Sequence, residues 1–174
     1  MNDSDPFAIS DPLEAMPPAE RVNYATGVLL DAEDFLAEQT YHRARLATLL
    51  RHLAGFGTLA GLRVEPPEAA DPEQELAVEP GVALDRFGRL IEVTVPQSIR
   101  LTRWFNAQTT PSLLAAIQRA PRVPVPNAVV VDVFLSVATR GHGKTPAFAN
   151  GPFDALDAVV ASRLVETAEL ELVP

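Results

Sequence analysis

Residues 29–57, LLDAEDFLAEQTYHRARLATLLRHLAGFG, decide how the rest of the chain is read. Asp31 is placed as an N-cap, because its carboxylate can accept hydrogen bonds from the free amides of a first helical turn. Leu30 before it and Phe35 after it occupy the two positions of a hydrophobic staple. Acids (Asp31, Glu33, Asp34, Glu38) fill the first half and bases (Arg43, Arg45, Arg51) the second, which complements the helix dipole. Gly55 offers a stop after Ala54. Apolar positions at 32, 35, 36, 46, 49, 50 and 53 follow helical spacing, with Gln39 and His42 as a polar interruption. A long helix over about residues 31–54 follows.

Beyond Gly57 the period falls to two. TLAGLRVEP, QELAVEPG, VALDRFG and RLIEVTVP read as short strands between proline and glycine turns. DRFG, residues 85–88, is a tight reversal in which Asp85 can bond forward to the turn amides and Gly88 takes positive φ. TTPSLLAAIQRA makes a short helix with Thr110 as cap and Pro111 at its first position. Residues 128–138 alternate as a long strand buried on one side at least, 140–153 form a Gly/Pro/Asn-rich loop, and SRLVETAELELVP closes the chain as a strand with Ala168, Leu170 and Leu172 inward. Residues 1–26, rich in proline and acids, read as an extended acidic arm without a core of its own. The expected fold is α+β. One long N-terminal helix packs on a mainly antiparallel sheet or small barrel of about six strands with one short inserted helix. The domain expected is 27–174, with its β-rich part over 58–174.

Composition narrows the function. The chain has 174 residues, 47% apolar and 21% charged, the mix of a globular domain. A net charge of −9 repels a phosphate backbone, so nucleic acid is not an expected partner. The absence of cysteine removes thiolate nucleophiles, disulfides and cysteine–zinc sites. No apolar run is long enough to cross a membrane and no leader pattern opens the chain, so a cytoplasmic location is expected.

Motifs of chemistry are few. Residues 138–145, ATRGHGKT, fit a relaxed phosphate-loop pattern after a run of β-formers. Such a loop needs a helix of several turns beginning near Gly143, aimed at the phosphates. Asn150-Gly151-Pro152 ends any helix there within about one turn, so the segment reads as a loop between strands. His42 and His52 lie about 15 Å apart along the helix, too far to share an ion. Asp85 and Arg89 flank the hairpin turn and can form a charged pair, which is ordinarily structural. Trp104 and Phe105 read as an anchor for the connector to the short helix. No catalytic, cofactor-binding or metal-binding residue is expected, and no cofactor.

Taken together, several segments resemble one family. The helix fits G-x-L-L-x-A-x-D-F-x-x-E-Q-x-Y, the strand entry fits G-x-G-x-x-x-G-L-x-V, and the hairpin fits P-G-x-A-x-D-x-x-G-R. These are similar to a bacterial family associated with phage-tail-like contractile injection systems, a baseplate or tail accessory group. The resemblance spans about residues 27–173, and Ala60 departs from it where a cysteine or another small residue is expected. It implies a non-enzymatic structural or adaptor subunit. Its partners would be other protein subunits of a tail-like particle, released or membrane-docked, with self-association among the contacts. Phe35, Glu38, Gln39, Tyr41, His42, Gly61, Asp85, Gly88 and Arg89 are the motif and interface residues so implied. The alternative expectation is a small-ligand-binding or hydrolytic domain using the 140–153 loop.

Overall fold

A computed structural model describes residues 9–67, 74–119, 129–146 and 159–174. The start of the acidic arm, the APRVPVP segment and residues 147–153 of the 140–153 loop lie outside the described residues. The chain is α+β, with one long helix, two short ones and small antiparallel sheets. It divides into two compact units: Met1–Gly55 with Arg86–Arg89 and Val137–Thr167, and Phe56–Asp85 with Leu90–Ser136 and Ala168–Pro174. The boundary expected at residues 26 and 27 thus falls inside the first unit.

In the first unit, a 3-10 helix over Pro12–Ala15 precedes α1, Ala32–Ala54. Asp31 caps α1 as the sequence suggests, accepting from the amides of Glu33 and Asp34 at 2.9 and 3.2 Å. The Asp34 carboxylate returns the bond to the Asp31 amide at 3.0 Å, completing a capping box. Gly55 ends the helix with φ +78, its amide bonded to the Arg51 carbonyl at 3.0 Å.

In the second unit, β1 (Gly57–Gly61), β4 (Gly81–Leu84) and β5 (Leu90–Val93) form an antiparallel sheet in the order β1-β4-β5. Ala83 pairs with Ile91 and both are buried, as are Leu84 and Val93. A second sheet, in the order β2-β3-β6, joins β2 (Val64–Glu65), β3 (Glu75–Val78) and β6 (Gln97–Arg100). The stretch expected as one strand, TLAGLRVEP, is broken between β1 and β2. Leu62 there is buried at φ +56, and its amide bonds to the Pro80 carbonyl. Gly61 lies so close to that carbonyl that a Cβ would collide with it, which with φ +66 leaves glycine the fitting residue.

Helix α2, Leu101–Ala107, follows β6 directly, and α3, Thr110–Arg119, is the expected short helix. Trp104 in α2 donates its indole N–H to the Leu172 carbonyl at 2.8 Å, so the anchor expected at Trp104 is made to the closing strand. That strand, β10 (Arg163–Val173), buries Leu172 and leaves Glu169 and Glu171 exposed. β10 pairs with β7, Asp132–His142. β7 begins four residues later than the alternation indicates and extends to His142. Leu135, Val137 and Thr139 are half-buried, while Asp132 and Phe134 are exposed.

The phosphate-loop pattern therefore sits on a strand. Ala138–His142 belongs to β7, Gly143 turns at φ +69, and β8 (Thr145–Pro146) pairs antiparallel with β9 (Val159–Val160). Where a phosphate loop would begin its helix, the chain enters another strand pair.

Replacing Asp31 with alanine removes the two bonds its carboxylate accepts from the Glu33 and Asp34 amides, leaving the bond from the residue-31 amide to Asp34. The change is expected to lower the unfolding free energy by about 1 kcal/mol. Asp31→Asn should recover most of that, as read by urea denaturation of the two variants.

Candidate functional site

Among the described residues of the first unit, a dense polar arrangement is built on Asp11. Asp11-Pro12 starts the 3-10 helix, with Asp11 Oδ1 accepting from the Leu13 amide at 3.1 Å and Leu13 buried beside it. Asp11 Oδ2 accepts from Arg43 of α1 at 2.8 Å and from Arg89 of the hairpin turn at 3.3 Å. Arg43 also donates to Glu166 of β10 at 2.6 Å, and Arg89 to Glu14 at 3.0 Å. Three carboxylates and two guanidiniums thus tie together the arm, the helix, the turn and the closing strand within this unit. The guanidiniums of Arg86 and Arg89 also lie over the Phe87 ring, at 4.7 and 5.3 Å from its centroid.

Backbone geometry makes the cluster reachable. Gly88 takes φ +86 and lies against the Ala47 carbonyl, where a Cβ would run into main chain. Glycine therefore lets the turn come up to α1 and aim Arg89 at the arm. Small residues on the facing side of α1, Ala44 and Ala47, leave room for Leu13, Met16 and Phe87.

Burial by itself raises the Asp11 pKa. The Leu13 amide and the hydrogen bonds and charge of Arg43, with the hydrogen bond from Arg89, outweigh it and hold the carboxyl below its usual range. A carboxylate so committed stays ionised at neutral pH and does not exchange a proton there, which suits a clamp and not a general acid or base.

The residues that the resemblance implied fall into separate places. Gly88 and Arg89 belong to the cluster. Gly61 and Asp85 lie in the second unit, Gly61 at the end of β1 and Asp85 half-buried just after β4. Arg89 reaches the arm carboxylates Asp11 and Glu14. Phe35, Gln39 and His42 are exposed along α1. Glu38 bonds His42 through Oε1 at 2.9 Å, while its Oε2 is buried without a hydrogen-bond partner among the described residues. Tyr41 meets the His42 ring edge-on at 5.3 Å. It also lines a cleft of about 760 Å³ between the arm and α1, bounded by Pro17, Val22, Val28 and Leu36.

Asp11, Glu14 and Arg43 were not among the expected residues. One signal was available: Asp-Pro-Leu-Glu places a capping acid before a proline, the order that starts a helical turn. Nothing local indicates where its second oxygen would bond. Among the described residues no group of histidines and acids is arranged to hold a metal ion. None of the described helices is long and apolar enough to cross a membrane.

The chemistry of the outer side of α1 is different. Phe35, Leu46, Leu49 and Leu53 are 56%, 58%, 54% and 75% exposed, and Ala47 is the helix's buried residue. With these four side chains in water and Ala47 inside, the helix carries an exposed apolar stripe, the kind of surface that other proteins cover.

Asp11→Ala leaves Arg89 without its most buried partner. The expected loss is about 2–3 kcal/mol, below the usual cost of a broken buried pair because Arg43 keeps access to water. Asp11→Asn keeps the bond from Leu13 but not the charge. With the folded pKa depressed, the stabilisation is complete above the unfolded value near about pH 4 and is lost as pH falls through the folded one. The stability gap between the wild type and Asp11→Asn should therefore close below about pH 4 in denaturant titrations at stepped pH. No protein-family model matches the chain, and no curated protein matches it.

Proposed function

We propose that this chain is a non-enzymatic structural or adaptor subunit of a phage-tail-like contractile injection apparatus, a baseplate or tail accessory component that works through protein–protein contacts. The observation that carries this reading is the outer face of α1, where four large apolar side chains stand in water along one helix. The motif resemblance supplies the class of particle, and most of its helix residues fall on this same element.

Two further observations support it over chemistry. Asp11, whose carboxyl is held below its usual range, is locked as an ion by its arginines. The Gly-Lys-Thr segment, the sharpest motif for a ligand, lies at a junction of strands. On this reading the chain acts in the cytoplasm until it is built into a particle.

Deleting the gene in a host that makes sheath–tube particles should yield particles that lack this chain and are defective in assembly. The tagged protein should co-purify with intact particles. Consistent absence of the chain from intact particles, together with normal assembly after deletion, rejects the proposal. Heat on titration with ATP, abolished by Lys144→Ala, would favour the ligand-binding alternative instead.

A further inference from the structure

The exposed residues of α1 have a regular spacing. Phe35, His42 and Leu49 recur every seven residues, and so do Gln39, Leu46 and Leu53. Interleaved, they step 35, 39, 42, 46, 49, 53, alternately by four and three, which is the spacing of a coiled-coil seam. All six are exposed, and the His42 side chain is 70% exposed. The seam lies opposite Ala44, Ala47, Thr48 and Arg51, the positions turned toward the 3-10 helix and the hairpin turn. A helix serving one core needs only the inner stripe. A second stripe with a seven-residue repeat implies a second helix.

From this spacing and the charge along α1 we infer that the occupant is α1 of a second copy of this chain, paired antiparallel. The first half of the helix carries Asp31, Glu33, Asp34 and Glu38, and the second half carries Arg45, Arg51 and His52 beside Arg43, which is engaged with Asp11 and Glu166. A parallel pair would set acids on acids and bases on bases along its whole length. An antiparallel pair sets each acidic half against a basic half and also opposes the two helix dipoles. One register engages all six seam residues. Phe35 packs on Leu53 of the second copy, Gln39 on Leu49 and His42 on Leu46, over about 27 Å of helix. Each polar seam residue is then covered by a leucine, and any sliding of the register uncovers one end. The two Arg45 side chains meet near the two-fold axis, where their length lets both heads reach water.

The inference shares with the proposed function the premise that this face is an interface, but the two can fail separately. Sedimentation equilibrium of the full chain should show a concentration-dependent dimer, and Leu49→Glu should weaken it about a hundredfold or more while leaving the circular dichroism spectrum unchanged. Because the chain has no cysteine, orientation can be read by oxidation. Phe35→Cys mixed with Leu53→Cys should give a disulfide-linked dimer, while either variant alone should not. A chain that stays monomeric at its solubility limit rejects the inference, as does efficient self-linking of each cysteine variant alone. If Leu49→Glu unfolds, the cysteine mixture still decides. A monomer that nevertheless co-purifies with particles overturns the pairing and leaves the proposed function standing. A dimer that never enters a particle does the reverse.

Discussion

A carboxylate that is 97% out of water cannot be left alone, and the first unit is arranged around that constraint at Asp11, whose side chain is 3% exposed. Two guanidiniums must come to it, one from the middle of α1 and one from the hairpin turn. Arg43 can do so because the arm crosses the helix at the 3-10 turn. Arg89 can do so because Gly88 lets the turn lie against the Ala47 carbonyl. The same requirement explains why the inner side of α1 is built from alanines: a larger residue at 44 or 47 would hold off the turn and the arm together. Ion pairing of this kind contributes less net stability than apolar packing of equal size, because desolvation offsets much of the attraction. Its contribution is to registry, since a slip of any one element strands a buried charge.

What could be read from the sequence was local. The long helix, its Asp31 cap, its Gly55 stop, the Gly88 turn and the outward Glu169 and Glu171 all follow from residues within a turn or a strand of each other. The departures come from longer range or from missing local signals. Helix α2 begins at Leu101 behind Arg100, which makes no side-chain cap bond, and β6 is only four residues long, so neither carries a start signal. β1 and β2 are separated by a left-handed leucine, which is rare enough that the pattern alone continues the strand. The ion cluster joins residues separated by 32, 78 and 123 positions, and no periodicity records such a pairing. The capping motif at Asp11 marks a turn but is silent about the second oxygen.

The Gly-Lys-Thr segment shows the opposite failure, a local pattern without its context. A phosphate loop depends on amides presented by the first turns of a helix. In this chain the residues before it belong to an eleven-residue strand and those after it to a two-residue bridge. Extended backbone points successive amides to opposite sides, so it does not converge them on one phosphate as the first turn of a helix does.

The two sides of α1 answer to different constraints, and their periods separate them. The inner side needs close approach, so it uses alanine and threonine and leaves the arginines to make the polar joints. Where the turn and the arm come closest, at Ala44 and Ala47, the side chains are small, while Phe35, Leu46, Leu49 and Leu53 stand on the other side. In a monomer this costs solubility and gains nothing, because Phe35, Leu46, Leu49 and Leu53 touch little. Random scatter would place them around the helix, yet they hold to a repeat of seven with Gln39 and His42 in the same line. Polar residues in such a seam weaken pairing while restricting its register. A seam of that composition suits a contact that forms in one arrangement and can be dissolved again, a property that a permanently buried core would not require.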